Sequence, residues 1–582
     1  MELKVFKDTL AAYGGRWETR QELPVETEIL IPDYQPAVFK IVKCLMQPVV
    51  LQNRVASGRW HCEGYLRCTV YYQSDEPGCR LCRTEQKFAF EKSVELPDAA
   101  FAEGPAQVWG EQEYCNCRAV SEHRIDLRGA YILCAAALMV RNCELLTSLA
   151  DCGIEQRTQE LSGLTRVAAE EKALTSEINL PLPGTGESIL DIGGSFTLTS
   201  LTMQTGQASC QGILQVQVCC QPPESEALDV RTKEMTVQQT VDLPGAAESD
   251  QCIAWGELLH CTLRTEDGAA DANLSVTWKL HLELWRLAAH TVVADAYSTL
   301  CQAQTVQTVC KLLQRTTDLN GHLSVTVEDD LPTPDAEVRG CFVTLEAPVQ
   351  IPGEAASKEK AGETRWELQG KGTAHVLCAD SRGELTCYDK AFTWQPEGSW
   401  QGSPGDAYPC LHADVTRLTS GKSGTRLRVE IELSITGSML QAQAQQALSE
   451  VDLGEEFTDG TDGPALYLYY AQEGERIFDI AKRYHARAKD LAAANHLETG
   501  GTAPQDLTTE STCLLIPAAL YRRKHRDART NLPEYCAPDR RRYLYWRGGA
   551  GAHRQKHLYQ ALLRAAFAAA YPKRSPACPR QR

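Results

Sequence analysis

The chain has 582 residues, of which 59 are Lys/Arg and 76 Asp/Glu, giving a formal net charge of −17. An apolar fraction of 43% and a charged fraction of 23% predict an ordinary soluble chain of about three to five domains. The longest apolar run, residues 131–140, reaches half of the roughly 20 residues that a membrane-spanning helix needs and reads as a buried strand.

From the N-terminus, Met1-Glu2-Leu3-Lys4-Val5-Phe6-Lys7-Asp8 places charges where a secretory signal needs an apolar stretch, so the expectation is a protein retained in the cytoplasm. Cysteine is abundant, with 24 residues. Without a signal the reading is reduced, mostly buried thiols, and Cys62, Cys68, Cys210 and Cys378 all fall on the apolar phase of predicted strands.

One strand pattern occurs three times. It runs over residues 60–71 (WHCEGYLRCTVY), 209–220 (SCQGILQVQVCC) and 367–378 (ELQGKGTAHVLC). Aligning Gly64, Gly212 and Gly370 gives spacings of 148 and 158 residues, the size of a domain and not of a solenoid turn. Two later segments alternate with period two. In residues 273–287 the apolar set is Leu274, Val276, Trp278, Leu280, Leu282 and Leu284, with Ser275, Thr277, Lys279, His281 and Glu283 opposite. In residues 425–437 Leu427, Val429, Ile431, Leu433 and Ile435 face away from Arg426, Arg428, Glu430 and Glu432. Such strands predict antiparallel sheets with one face on a core and the other in water. Turn-rich breaks such as Gln221-Pro222-Pro223 separate them. The expected fold class is mainly β. Three tandem β-sandwich-like modules span residues 1–148, 149–290 and 291–440, with joints near 145–155 and 288–295.

Beyond the third module, residues 441–450 are Gln/Ala-rich and read as a short helix. Residues 452–463 read as an acidic, flexible stretch, so that 441–464 form a linker. Residues 465–518 then order as strand, helix, helix, strand: Leu466-Tyr467-Leu468-Tyr469-Tyr470, a turn at Gln472 to Glu475, helical spacing of Ile477, Ile480, Ala481 and Tyr484, a second helix from Ala488, and Cys513-Leu514-Leu515-Ile516-Pro517. Residues 519–582 form a basic tail. Between 521 and 582 there are 16 Lys/Arg against three Asp/Glu, leaving 43 against 73 elsewhere. Arg540-Arg541-Arg542-Tyr543-Leu544-Tyr545-Trp546-Arg547 interleaves aromatics with arginines, yet an acidic body does not point to nucleic-acid binding, and the tail reads as disordered.

Catalytic constellations are missing from the pattern. Histidines are scattered without HExxH spacing, and no nucleophile elbow or Rossmann fingerprint stands in its strand–helix context. Gly421-Lys422-Ser423-Gly424 ends like a phosphate loop but precedes a strand, and so reads as a hairpin turn. Cys79-Arg80-Leu81-Cys82, with Cys115 and Cys117 downstream, has zinc-knuckle spacing. The other two copies lack a matching set, so the modules are not built on a shared metal and the better reading is paired thiols. No catalytic residue, cofactor or metal is assigned.

Tyr470, Gly474, Ile477, Ile480, Ala481, Lys482, Arg483, Tyr484, Leu491, Asn495, Leu515, Ile516 and Pro517 resemble the LysM domain, which has the same strand–helix–helix–strand order. Residues 29–41, 117–129 and 295–299 resemble segments of SPOCS-domain proteins. As a set, residues 1–518 resemble clostridial spore-coat morphogenetic proteins with SPOCS repeats and a C-terminal LysM module.

That resemblance implies a non-enzymatic scaffold or adaptor of spore-coat or envelope assembly, in the mother-cell cytoplasm at the forespore surface. The implied protein partner is of the coat-basement morphogenetic ATPase type. It also implies binding through a LysM groove of Gln472, Glu473, Gly474, Glu475, Arg476, Ile477, Asn495, His496 and Leu497, running on to Thr502; the linker itself reads as a tether for this module. The alternative is a cell-wall protein binding peptidoglycan GlcNAc through LysM. Gly474-Glu475-Arg476 stands where the family has Gly-Asp-Thr, which shifts the expectation toward a protein ligand.

Overall fold

The computed structural model describes residues 2–74, 81–97, 100–181, 188–222, 226–265, 271–331, 335–352, 365–424, 426–459, 466–497, 512–517 and 522–524. The chain is mainly β, with two α-helices among the described residues, neither long and apolar enough to cross a membrane.

The first stretch contains β1 (Lys4–Leu30), β2 (Val38–Ala56), β3 (Arg59–Ser74), β4 (Leu81–Glu95), β5 (Ala100–Phe101), β6 (Gln107–Ser121) and β7 (Arg124–Ala150). The second contains β8 (Ile154–Pro181), β9 (Ser188–Gln204), β10 (Gln207–Gln221), β11 (Asp229–Asp242), β12 (Gln251–Thr265) and β13 (Asp271–Ser298). The third contains β14 (Cys301–Asp318), β15 (Gly321–Asp330), β16 (Glu337–Pro352), β17 (Arg365–Ala379), β18 (Leu385–Trp394), β19 (Ser399–Gln401), β20 (Ala407–Ser423) and β21 (Arg426–Asp459).

All three stretches share one pairing scheme. The first strand pairs antiparallel with the last, and the penultimate strand pairs with the last (β1–β7–β6, β8–β13–β12, β14–β21–β20). The intervening strands form a meander, β2–β3–β4, β9–β10–β11 and β16–β17–β18. Gly64, Gly212 and Gly370 lie on β3, β10 and β17, the central strand of each meander. Residues of both sheets share one core in each stretch, around Trp60 and Leu127, then Trp278 and Val218, then Trp394 and Ile431.

The first and last strands are far longer than the usual 3–10 residues, because they serve two cores each. β7, β13 and β21 align without gaps at offsets of 147 and 155 residues. Leu138, Trp285 and Leu440 occupy one position in that alignment and meet in one buried cluster. Leu145, Val292 and Ala447 meet in the next, and Leu146, Val293 and Leu448 in a third, with Leu149, Ala296 and Val451. Corresponding residues of the three stretches therefore pack around a common column, as in a threefold arrangement.

At the meander ends a clasp passes around the ring. Gln73 accepts from Leu385 N at 2.9 Å, and Gln221 accepts from Leu81 N at 3.0 Å. Position 379 is alanine where the others have glutamine, and there Leu228 N donates to Arg339 O at 2.9 Å. Tyr71, Cys219 and Leu377, again one aligned position, are buried together beside these clasps.

Several expectations need correction. The strand expected over 425–437 continues to Asp459 as β21, so residues 441–450 are not helical and most of the expected linker pairs with β14 (Val451↔Thr305, Leu453↔Ala303). Helix propensity of Gln and Ala is a weak prior, overridden here by the antiparallel ladder with β14. The second joint falls at residues 299–300, after β13, and not at 288–295. Of the basic tail, Arg522–Lys524 form β24, paired with Phe457 to Asp459 of β21, and everything from 525 onward lies outside the described residues. Gly421 to Gly424 sit where β20 turns into β21, with Gly424 at φ 66°.

Candidate functional site

Residues from 466 fold as β22 (Leu466–Ala471), α1 (Ile477–Arg483), α2 (Ala488–Ala494) and β23 (Thr512–Pro517), with β22 and β23 antiparallel. Ile477, Ile480 and Ala481 of α1 meet Leu491 and Ala492 of α2 and Leu514 and Ile516 of β23 in one core. Gly474 takes φ 79°, a left-handed value that glycine adopts without strain, and so closes the turn into α1.

The nine expected groove residues divide by role. Ile477 is in the core and Leu497 packs against it. Asn495 donates to Leu491 O at 2.8 Å and Leu515 O at 2.9 Å and accepts from Leu515 N at 2.6 Å, riveting α2 to β23. Glu475 accepts from Gln472 N at 3.1 Å, bonds the Tyr469 hydroxyl and pairs with Arg483 at 3.2 Å. Gln472, Glu473, Gly474 and Arg476, on the turn between β22 and α1, are exposed, as is His496 after α2. The loop expected to complete the groove, residues 498–502, lies outside the described residues.

This unit is clasped to the column and not held on a tether. Tyr297, near the end of β13, enters its core, stacks edge-on against Phe478 and donates to Ala486 O at 2.7 Å. Lys482 grips Asp295 at 2.6 and 2.7 Å. Phe457 of β21 lies 4.1 Å from His485, ring to ring. Strand and column residues thus fix the direction in which the exposed turn points.

A second constellation escaped sequence reasoning. Trp109, Trp255 and His412 hold one aligned position on the penultimate strands and line a cavity of about 580 Å³ between the three stretches. Arg16 lies over the Trp109 ring at 5.2 Å, and His281 stacks on Trp255 at 5.1 Å. Lys279, 3% exposed, pairs with Glu171 at 2.9 Å and donates to Val50 O at 2.9 Å and Leu51 O at 3.3 Å in the first stretch. His281 sits 3.3 Å from Glu171 and 3.4 Å from Glu257; its Nε2 makes no aligned hydrogen bond, so the Glu257 contact is electrostatic.

Burial opposes charge on His281, but the facing Glu171 and Glu257 outweigh it and raise its pKa above the ordinary value. Burial likewise opposes charge on those carboxylates, and His281 and Lys279 bring both below the ordinary range. His412 is raised too, burial being overcome by Asp414 at 3.1 Å. Nearby, Cys410 donates to Glu283 at 3.2 Å. Chemically this is a charge network within the second stretch, tied to the first by the Lys279 bonds to Val50 and Leu51 and to the third by the Cys410 bond to Glu283.

Lys279, His281 and Glu283 were expected on a water-facing side of β13. They are interior because the first and third stretches cover that side. Alternation distinguishes two faces but says nothing about what covers the polar one.

Among the thiols, Cys62, Cys68, Cys210 and Cys378 are buried as expected. One pair departs from the reduced reading, since Cys44 of β2 is disulfide-bonded to Cys117 of β6. Cys115 gathers with that pair, while Cys82 does not, and Cys79 lies outside the described residues. Burial pushes the Cys68 thiol up to about 12 and Cys115 up to about 11.

No protein-family model, curated protein or solved structure matches this chain.

Proposed function

We propose that the chain is a non-enzymatic scaffold for spore-coat or spore-envelope assembly. It is read as three tandem β-sandwich-like modules bearing a LysM-like module and a basic tail, acting in the mother-cell cytoplasm at the forespore surface. The resemblance to SPOCS and LysM proteins supplies the setting and the partner, a protein of the coat-basement morphogenetic ATPase type. The observation that carries the scaffold reading is where the buried charge goes: Lys279, paired with Glu171 inside the second stretch, donates to the Val50 and Leu51 carbonyls of the first, and Cys410 of the third donates to the buried Glu283 of the second. A protein that uses its buried ionisable groups for internal clasping invests in a rigid frame.

The docking surface is read on the exposed Gln472, Glu473 and Arg476 of the β22–α1 turn, with the exposed His496 after α2. Because Asp295 and Tyr297 hold the unit in one orientation, a partner meets a preset geometry and loses less freedom on binding. Glu475 and Asn495 are engaged internally, which favours a protein ligand over a sugar needing those polar groups.

The test uses the full chain with Glu473→Lys/Arg476→Glu, co-purified with a coat-basement ATPase and separately pelleted with insoluble peptidoglycan. Loss of the ATPase, with neither protein pelleting, is the expected result. Pelleting of the parent chain that chitooligosaccharide competes away, and that the variant loses, would establish the cell-wall reading instead.

A further inference from the structure

We infer that Cys44, Cys115 and Cys117 form a thiolate site that takes one soft cation, of the zinc or copper(I) class, once their disulfide is reduced. Cys115 and Cys117 are two residues apart on β6, so their side chains leave the same face of the strand. Cys44 reaches them from β2 in the opposing sheet, and the three sulfurs all lie within 4.8 Å of one another. Sulfurs around a tetrahedral zinc, with Zn–S bonds of about 2.3 Å, sit roughly 3.8 Å apart, so small movements convert the cluster into a ligand set. Cys68 is buried on β3, paired with Met46 and two residues along from the pair Cys44↔Val70. That register puts Cys68 on the same side of the β2–β3 pair as Cys44 and makes it the candidate fourth sulfur. With no carboxylate in the set, it suits thiophilic ions over magnesium or calcium.

Packing alone does not ask for these thiols. The aligned positions in the second stretch are Ile192 for Cys44 and Leu263 for Cys117, as their pairing with Val218 and Leu274 shows. The second core therefore closes with aliphatic residues at two of the three positions; Cys261 stands at that of Cys115, and in the third stretch Cys341 stands at that of Cys44, so the full set of three belongs to the first stretch alone.

The chemistry balances as follows. Two equivalents of a small thiol reduce the Cys44–Cys117 bond, becoming a small-molecule disulfide and leaving two protein thiols. Binding of the cation then forms three metal–sulfur bonds and releases the three thiol protons, or four with Cys68.

The experiment uses full-length protein, reduced with a thiol and freed of excess reductant under argon, then titrated with Co²⁺ and with Zn²⁺. The wild type and a Cys301→Ser control should hold a single Co²⁺ equivalent with a thiolate-to-cobalt charge-transfer band, displaced by Zn²⁺ with release of protons on loading. Cys44→Ile/Cys117→Leu, which installs the second stretch's own residues and so keeps the core filled, should lose both the band and the retained metal. A reduced wild type that retains no more metal than this variant overturns the site, as does a variant that keeps the charge-transfer band.

Discussion

Replacing Gly370 with alanine sets a methyl group against the Trp394 indole. The added Cβ would lie 1.9 Å from Trp394 Cε2, and the ring is pinned in the core with its Nε1 donating to Lys371 O at 3.3 Å. The same space is used in the other copies: a Cβ on Gly212 meets Phe196 Cζ at 2.4 Å, and one on Gly64 meets Val49 O at 2.2 Å and Phe90 Cζ at 3.1 Å. The glycine of the recurring strand thus makes room for an aromatic ring lying over the meander. Overpacking of this kind costs about 1–3 kcal/mol, offset in part by the 0.4–1 kcal/mol or so that alanine gains by restricting the unfolded chain. The expected net loss is about 1–2 kcal/mol, read as a lower urea midpoint by tryptophan fluorescence at unchanged slope. Gly421→Ala is the control, because nothing lies within 4 Å of its Cβ, and it should stay within about 0.5 kcal/mol of the parent. Equal midpoints for Gly370→Ala, Gly421→Ala and the parent would refute the reasoning.

Lys279→Met leaves Glu171 without its ammonium partner and the Val50 and Leu51 carbonyls without their donor, so unfolding should be easier by about 3–5 kcal/mol, checked by chemical denaturation. Tyr297→Phe strips the donor from the Ala486 carbonyl at a cost of about 1–3 kcal/mol, and limited proteolysis should release the helical unit sooner while the β body stays intact. The cavity lock also predicts a pH dependence. With its folded pKa raised above 6.5, His281 contributes fully below that value and loses its contribution as pH rises through the raised pKa. Glu171 and Glu257, depressed below 4.5, contribute above that value and lose it as pH falls through their folded pKa. The thermal unfolding midpoint should therefore be highest at weakly acidic pH, and His281→Gln should flatten the alkaline limb, with His412 supplying the remaining slope.

Period-two alternation in 273–287 and 425–437, and the triple recurrence around Gly64, Gly212 and Gly370, were enough to read a mainly β chain. The helical spacing of Ile477, Ile480 and Ala481 was equally legible, because amphipathic periodicity is a local property. Of the expected groove residues, Gln472, Glu473, Arg476 and His496 are exposed, whereas Glu475 and Asn495 are engaged in internal hydrogen bonds. Their partners, Tyr469, Arg483 and Leu515, are not marked by any spacing rule.

Residue order by itself determined which strands form and where their small and apolar positions fall, since those follow from side-chain alternation along one segment. Only the tertiary structure decided that β21 runs on to Asp459, that the polar side of β13 is interior, and that Tyr297 and Asp295 seize the helical unit. Each of these depends on a partner brought from more than a hundred residues away. A polar side chain reads the same in sequence whether water or an opposite buried charge will meet it.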